Sequence, residues 1–390
     1  MADSQLQSQK VSSLSQSMGQ VLKTDLSYNI PENYPICGTH KIPLNPSNPT
    51  GATDPSGKSL QWSIPSYGNV KNMVIESRLT NSANNNAAAN DTDLGARIFD
   101  SISLKSHGSV ICQNSLGYST VRQYDASLEK SLAASELQNS PTTLTTGAVA
   151  TFFTPVYFPF FEKVENSIDT SFVENLELVA NVTTDFRLAT GSIASAEFIL
   201  WIEYFTLDTK DHQELLARNF VPGKNLNMLL YDSETQTSDA SSVTSLTVDI
   251  KNNNLCFATH FFIQDTATGV LAPITSYTLS VDGRVVRNGV PSKIEAWTKA
   301  SRGHRSANIT QITSGAITDK LTVKPVSCYW GLEGNRTWKS GAINFRATSN
   351  PTLTVNLASA TNKRLVIVQE FWRLMSIDSV SGIINLGVSS

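Results

Sequence analysis

The chain has 390 residues, of which 40% are apolar and 16% charged, and its net charge is −3. That length accommodates two domains of ordinary size. The charge deficit is made up by Ser, Thr and Asn, the surface of strands and loops rather than of exposed helices, so the composition predicts a mainly β protein. Neither terminus carries a Lys/Arg-rich arm, which argues against a protein that condenses nucleic acid directly, because phosphate neutralisation supplies most non-specific affinity.

Residues 1–24 predict a short amphipathic helix. Leu6, Val11, Leu14, Met18, Val21 and Leu22 fall near three- and four-residue spacing, with Ser, Gln and Lys between them. Residues 28–66 hold seven prolines, from Pro31 to Pro65, and read as an extended strap with one edge strand. Alternating segments follow: Met73, Ile75 and Leu79; Ile98, Ile102 and Leu104; Leu176, Leu178 and Val182; Phe198, Leu200, Ile202 and Tyr204. Period two gives each strand one face in a core. The low-complexity segment 81–95 is read as a loop, and DASLEKSLAASELQ at 124–138 as a helix with Asp125 at its N-cap. AVATFFTPVYFPFF at 148–161 is read as a strand leading into a buried turn.

Residues 209–235 change character. A helix begins near Asp211 and stops at Pro222–Gly223, which marks a linker between two β domains. The second half repeats the pattern with Leu246, Val248 and Ile250, then with Tyr277, Leu279 and Val281 leading into the hairpin signal Asp282–Gly283. Residues 291–300 predict another short helix, and KRLVIVQEFWRL a long closing strand. The fold class that emerges is all-β: two eight-stranded sandwiches in tandem with a few short helices. The boundaries are an N-terminal helix at 1–24, a first sandwich with its strap at 25–208, a linker helix at 209–235, a second sandwich at 236–376 and a tail at 377–390.

No catalytic, cofactor-binding or metal-binding residue can be assigned. GATDPSGKS, residues 51–59, imitates a phosphate-binding loop, but Gly51 and Gly57 enclose five residues where four are needed, and LQWSIPS cannot continue as a helix. His40, His107, His212, His260 and His304 are scattered without metal-ligand spacing. His260 reads as a satisfied core or interface residue and His212 as part of the linker helix. No GxSxG elbow occurs. Cys37, Cys112, Cys256 and Cys328 form no CxxC pair and read as free thiols of a reducing compartment. Residues 1–25 lack the apolar core of a signal peptide, and apolar runs fall short of the ~20 residues of a membrane span. The sequons at Asn90, Asn181, Asn308 and Asn335 therefore read as chance matches. The basic cluster 299–306, with Arg284 and Arg287 nearby, reads as a solvated loop or a contact to an acidic neighbour; nucleic-acid binding is the minority reading.

Strand order and several phrases resemble the double-jelly-roll major capsid proteins of tectiviruses, adenoviruses and large eukaryotic DNA viruses. VKNMVIESRLTN and DLGARIFDSISLKSHG resemble the opening core strands of the tectivirus-type subunit, and AEFILWIEYFTL its closing strand before the interdomain helix. YWGLEGNRTWKSGAINFRATSNPTLTVNL resembles a C-terminal phrase of the large-virus proteins, its places held by Ser340, Gly341, Asn344, Phe345, Asn350 and Leu353. The resemblance spans roughly residues 65 to 375. Its weight lies in order, spacing and two-fold recurrence. The strap at 28–66 has no counterpart, and the loops at the domain tops look too short for tall towers.

The resemblance implies a non-enzymatic major capsid protein, localised in the virion and assembled in host cytoplasm or nucleus. It would be a homotrimer of six jelly rolls that packs, through trimer–trimer contacts, into an icosahedral shell of pseudo-hexagonal capsomers. Minor capsid or penton proteins are implied partners, and an internal lipid membrane a possible one. No cofactor and no direct nucleic-acid binding are expected. The apolar stripe of residues 1–24 then faces a neighbouring subunit or a membrane, with few basic residues to favour lipid. The competing readings are a viral spike or lectin-like carbohydrate-binding sandwich, and a β-sandwich carbohydrate hydrolase with a carboxylate-lined cleft.

Overall fold

The computed structural model describes residues 37–48, 55–81, 95, 98–125, 147, 149–161, 167–173, 175–183, 193–219, 225–240, 242–251, 254–266, 271–289, 312–313, 316–317, 325–330, 341–348, 350–359 and 361–387. The expected helices at 1–24 and 291–300, most of that at 124–138, and the cluster 299–306 lie outside these residues.

The first half forms β1 (Cys37–Leu44), β2 (Ser59–Ser63), β3 (Asn69–Asn81), β4 (Phe99–Ser106), β5 (Ser109–Ser115), helix α1 (Leu116–Asp125), β6 (Val149–Pro155), β7 (Ile168–Asp169), β8 (Leu176–Val182) and β9 (Ile193–Leu207). One sheet has the order β1-β9-β3-β6, with β7 against β3, and the facing sheet has the order β2-β8-β4-β5. Helix α2 (Thr209–Asn219) follows. The second half contains β10 (Leu226–Asp239), β11 (Ser245–Asp249), β12 (Leu255–Asp265), β13 (Leu271–Ala272), β14 (Ile274–Val281), β15 (Arg284–Gly289), β16 (Ile312–Thr313), β17 (Ala316–Ile317), β18 (Val326–Tyr329), β19 (Ile343–Asn344), β20 (Thr352–Leu357), β21 (Lys363–Ile377) and β22 (Ile384–Gly387). Its sheets run β10-β21-β12, with β18 also on β12, and β11-β20-β14-β15. Apart from the short accessory strands, the two orders are the same: first, last, third and sixth strand in one sheet; second, seventh, fourth and fifth in the other. Both halves are jelly rolls of one topology.

The alternating residues point where period two puts them. Met73, Ile75, Leu79, Ile102, Leu104, Leu178, Leu200, Ile202 and Tyr204 are at most 2% exposed and close the first core around Trp62 and Phe152. Each fully buried large apolar side chain stabilises by about 1.5–3 kcal/mol. The second core is built from Phe261, Ile263, Leu279, Leu353, Val355, Leu365 and Ile367. Residues 149–161 form β6 and then a 3-10 turn in which Pro159 and Phe160 are buried, as their sequence predicts.

Three expectations require correction. The strap contributes two strands, β1 and β2, because prolines are tolerated on edge strands. A helix that the sequence reading did not anticipate occupies Leu116–Asp125, while the expected one at 124–138 lies, beyond Asp125, outside the described residues. Ser115 Oγ accepts the Tyr118 N–H at 3.1 Å and so caps the helix that LGYSTVRQYD forms. Residues 226–235, read as linker, begin a 14-residue strand paired along β21. The expected tail turns back as β22, pairing Met375 with Leu386, and buries Ile384 in the first core.

Antiparallel pairing places the connections β1–β2, β3–β4, β5–β6 and β8–β9 at one end of the first sandwich, where Phe99 meets Phe198 at 6.0 Å. At the other end Tyr204 donates to the Pro65 carbonyl at 2.9 Å. β5 lies alongside β10 and runs the same way: Cys112 and Asp232 line one crevice, and Ser115 Oγ meets Thr235 Oγ1 at 2.5 Å. The corresponding connections of the second sandwich therefore leave from the same end of the molecule.

Candidate assembly surfaces

The two jelly rolls are joined by a packed internal seam. Tyr118 and Val121 of α1 pack on Tyr231, Phe257, Phe262, Val366, Val368 and Trp372, the outer face of the second sandwich's β10-β21-β12 sheet. Gly117 allows this approach: a Cβ there would lie 2.9 Å from Val366 Cγ1 and 3.0 Å from Thr235 Cγ2. Below the helix, Ile111, Cys112 and Phe160 of the first jelly roll face Leu230, Asp232, Arg373, Met375 and Leu386 of the second. Asp232 accepts a bond from Arg373 Nη1 at 2.5 Å. Burial nevertheless raises its carboxyl above the ordinary value, against the lowering by the Ser233 N–H and Arg373. Burial also pushes the Cys112 thiol well up, which makes it unreactive.

Sheet edges are where chains of this class can join, so their treatment matters. The β2 edge is closed by Asn48, whose Oδ1 accepts the Gln61 N–H at 2.8 Å and whose Nδ2 donates to the Ser59 carbonyl at 2.7 Å. The β11 edge is closed by Gln236, which donates to the Asp249 carbonyl at 2.8 Å and accepts the Lys251 N–H at 3.1 Å. The β5 edge is covered by β10. At β15, in contrast, Arg284–Asn288 are all exposed, Val285 at 57% and Val286 at 41%.

On the outer face of the β1-β9-β3-β6 sheet, Glu76 is 5% exposed. It accepts Trp201 Nε1 and Arg78 Nε, each at 2.6 Å, and Arg78 also reaches Glu197 at 3.3 Å. Two groupings have the composition of chemical sites. Asp169 accepts from Ser171 Oγ at 2.5 Å and pairs with His212 Nε2 at 2.7 Å, tying α2 to the first jelly roll. Ser171 approaches the same ring nitrogen at 3.4 Å, so serine and aspartate do not sit on opposite sides of the imidazole as a nucleophilic relay requires. His260 and Glu370 are fully buried with Nε2 3.9 Å from Oε2, and His260 Nδ1 meets Ser327 Oγ at 2.9 Å. Among the described residues no group of three or more His, Cys, Asp and Glu is placed to hold a metal ion. Pro55, Gly57 and Lys58 form a turn leading straight into β2 rather than a helix.

Of the residues singled out in sequence, Leu6, Val11, Leu14, Met18, Val21, Leu22 and Ser340 lie outside the described residues. Gly341 and Asn350 take positive φ of 101° and 47°. Asn344 pairs with Leu255 in β19, Phe345 is buried against Trp330 at 5.7 Å, and Leu353 is fully buried in β20. The described residues of the phrase thus belong to the second jelly roll's wall and core. Cys112, Cys256 and Cys328 are buried and outside any disulfide. Sequence reading missed Asn48, Gln236, Gly117 and the open Val286. The one signal near them was Asp282–Gly283, which marks the β14–β15 turn.

No family model matches the chain, and no curated protein matches it in sequence. Solved structures do match. The PBCV-1 capsid protein VP54 superposes with a TM-score of 0.70 at 13% identity, over 93% of this chain and 99% of that one. The Faustovirus major capsid protein gives 0.65 at 8% identity, over 90% and 92%. The mavirus major capsid protein gives 0.56 at 10% identity, over 90% of each. Coverage this complete takes in both sandwiches and their joint, and it establishes the fold: the chain is a double jelly roll of the kind found in these viral major capsid proteins.

Proposed function

We propose that this chain is the major subunit of an icosahedral virion shell, assembled as a homotrimer of six jelly rolls and without catalytic activity. The observation that carries the proposal is the build of the molecule. Two jelly rolls of one topology stand side by side and point the same way, joined through a seam rather than a hinge, so that each chain is a rigid pair of near-equivalent blocks. The likeness to capsid proteins over at least 90% of the chain supports the same reading. Fold alone hosts many functions, and it is the rigid duplicated block that suits tiling. Minor capsid or penton proteins, and a membrane beneath the facet, are the partners such a shell calls for. The net charge of −3 fits a shell that leaves genome packing to other components.

Electron microscopy of concentrated purified protein tests this. Hexagonal plates or faceted particles with blocks of pseudo-six-fold outline are expected. A dispersed monomer at all concentrations would overturn the proposal.

A further inference from the structure

Strands β10 and β21 carry one face of their sheet from the second core into the first. Along β21, Leu365, Ile367 and Phe371 belong to the second core, and Met375 and Ile377 to the first. Arg373 stands between them on the same face. Along β10, Leu230 lies in the first core, and the next two residues on that face are Asp232 and Glu234. Opposite Glu234 is Gln369, which is 2% exposed and whose Nε2 finds no hydrogen-bond partner among the described residues. A polar belt therefore lies where the two apolar cores would otherwise meet.

The belt faces the other jelly roll across the seam. Asp232, its side chain 11% exposed, shares a crevice with Cys112 of β5. Among the described residues, the titratable and charged groups around Asp232 are Arg373 from β21, Tyr231 and Glu234 from β10, and Cys112 from β5. The turn at 159–161 and β22 contribute only Pro159, Phe160 and Leu386 to the crevice. One cation thus stands against two carboxylates, and this face is neutral only when one carboxyl is protonated. Glu234 is open to solvent, whereas Asp232 is enclosed, and burial raises the Asp232 carboxyl in spite of Arg373.

We propose that this belt is a proton-operated lock on the joint between the two jelly rolls: a protonated Asp232 keeps the seam closed and dry, and its ionisation lets water in between β5 and β10. A buried carboxylate is stabilised by water, and so is the unpartnered Gln369 amide. With the seam open, Asp232 has the ordinary carboxyl value; with it closed, the value is raised. Closure is therefore firmest below the ordinary value and weakens as pH climbs to the raised one. The rigid pairing of the two jelly rolls is then conditional on a single proton.

Cys112 reports on the seam, and Cys256 and Cys328, buried in the second core, are internal references for unfolding and for the reagent's own pH dependence. The full chain is treated with N-ethylmaleimide from about pH 4 to about pH 7.5, and labelling is read peptide by peptide by mass spectrometry. In wild type the ratio of Cys112 to Cys256 labelling is expected to rise by about threefold or more. In Asp232→Asn, which cannot ionise, it is expected to stay flat. Two further variants keep the test sharp if that one folds poorly. Glu234→Gln removes a neighbouring negative charge and is expected to make the rise smaller; Arg373→Gln removes the cation and is expected to make it larger. A flat ratio in wild type, or the wild-type rise persisting unchanged in the variants, would sink the lock and leave the shell reading standing.

Discussion

At Gly382 the backbone takes φ +66°, and a Cβ would stand 2.4 Å from the Phe172 carbonyl oxygen. The turn ahead of β22 is thereby pressed against the first jelly roll. Gly283 has a similar φ of +71° with nothing within 4 Å. Gly283→Ala is expected to cost only the left-handed strain, about 1–2 kcal/mol. Gly382→Ala adds the overlap and is expected to cost about 1–3 kcal/mol more. Unfolding of the two variants side by side separates the terms. Asp232 offers a second residue test. Its folded pKa is raised by burial, so the folded chain holds that proton more tightly than the unfolded one. The stability this proton brings is present below the unfolded pKa and lost as pH rises through the folded one. The unfolding midpoint of Asp232→Asn relative to wild type is therefore expected to climb between pH 4 and pH 7. A falling difference would mean that Arg373 outweighs burial.

Elements in this fold are decided as much at their edges as in their cores. The Asn48 and Gln236 amides satisfy backbone groups that β2 and β11 would otherwise offer to another chain. Asn48→Ala and Gln236→Ala are each expected to lose about 1 kcal/mol and, more tellingly, to increase aggregation on concentration, followed by turbidity. Deletion of residues 1–24 belongs to the same scale. The proposal is that this segment acts between subunits or against a membrane, so the truncated chain is expected to keep its circular dichroism and trimer while particle yield falls. Loss of folding on truncation would place the apolar stripe in the subunit's own core instead.

The whole molecule is a duplicated block with its seam buried. Its net charge of −3 and lack of a basic arm predict weak binding to duplex DNA at physiological salt. A submicromolar affinity with steep salt dependence in fluorescence anisotropy would revive the cluster at 299–306. The seam also draws residues of the second half into the first core. Leu230, Met375, Ile377 and Ile384 come from the second half yet belong to the first core, so the joint shares one apolar cluster.

What the sequence determined by itself was what periodicity and turn chemistry encode locally. Met73, Ile75 and Leu79 declared a core-facing strand, Asp282–Gly283 a hairpin, and the recurrence of strands in two halves the double sandwich. The strap escaped because prolines hide an edge strand that tolerates them, and β22 because a short strand gains its meaning only from the partner it pairs with. Glu76 reads as a solvent-facing acid until Trp201 and Arg78, brought from across the sheet, enclose it. The same holds for the surfaces of assembly. Val286 and Ile111 are ordinary strand residues in sequence, and only the tertiary structure covers one and leaves the other open. Exposure depends on which distant edge arrives beside a strand, and that is set by the packing of the whole chain rather than by any local pattern.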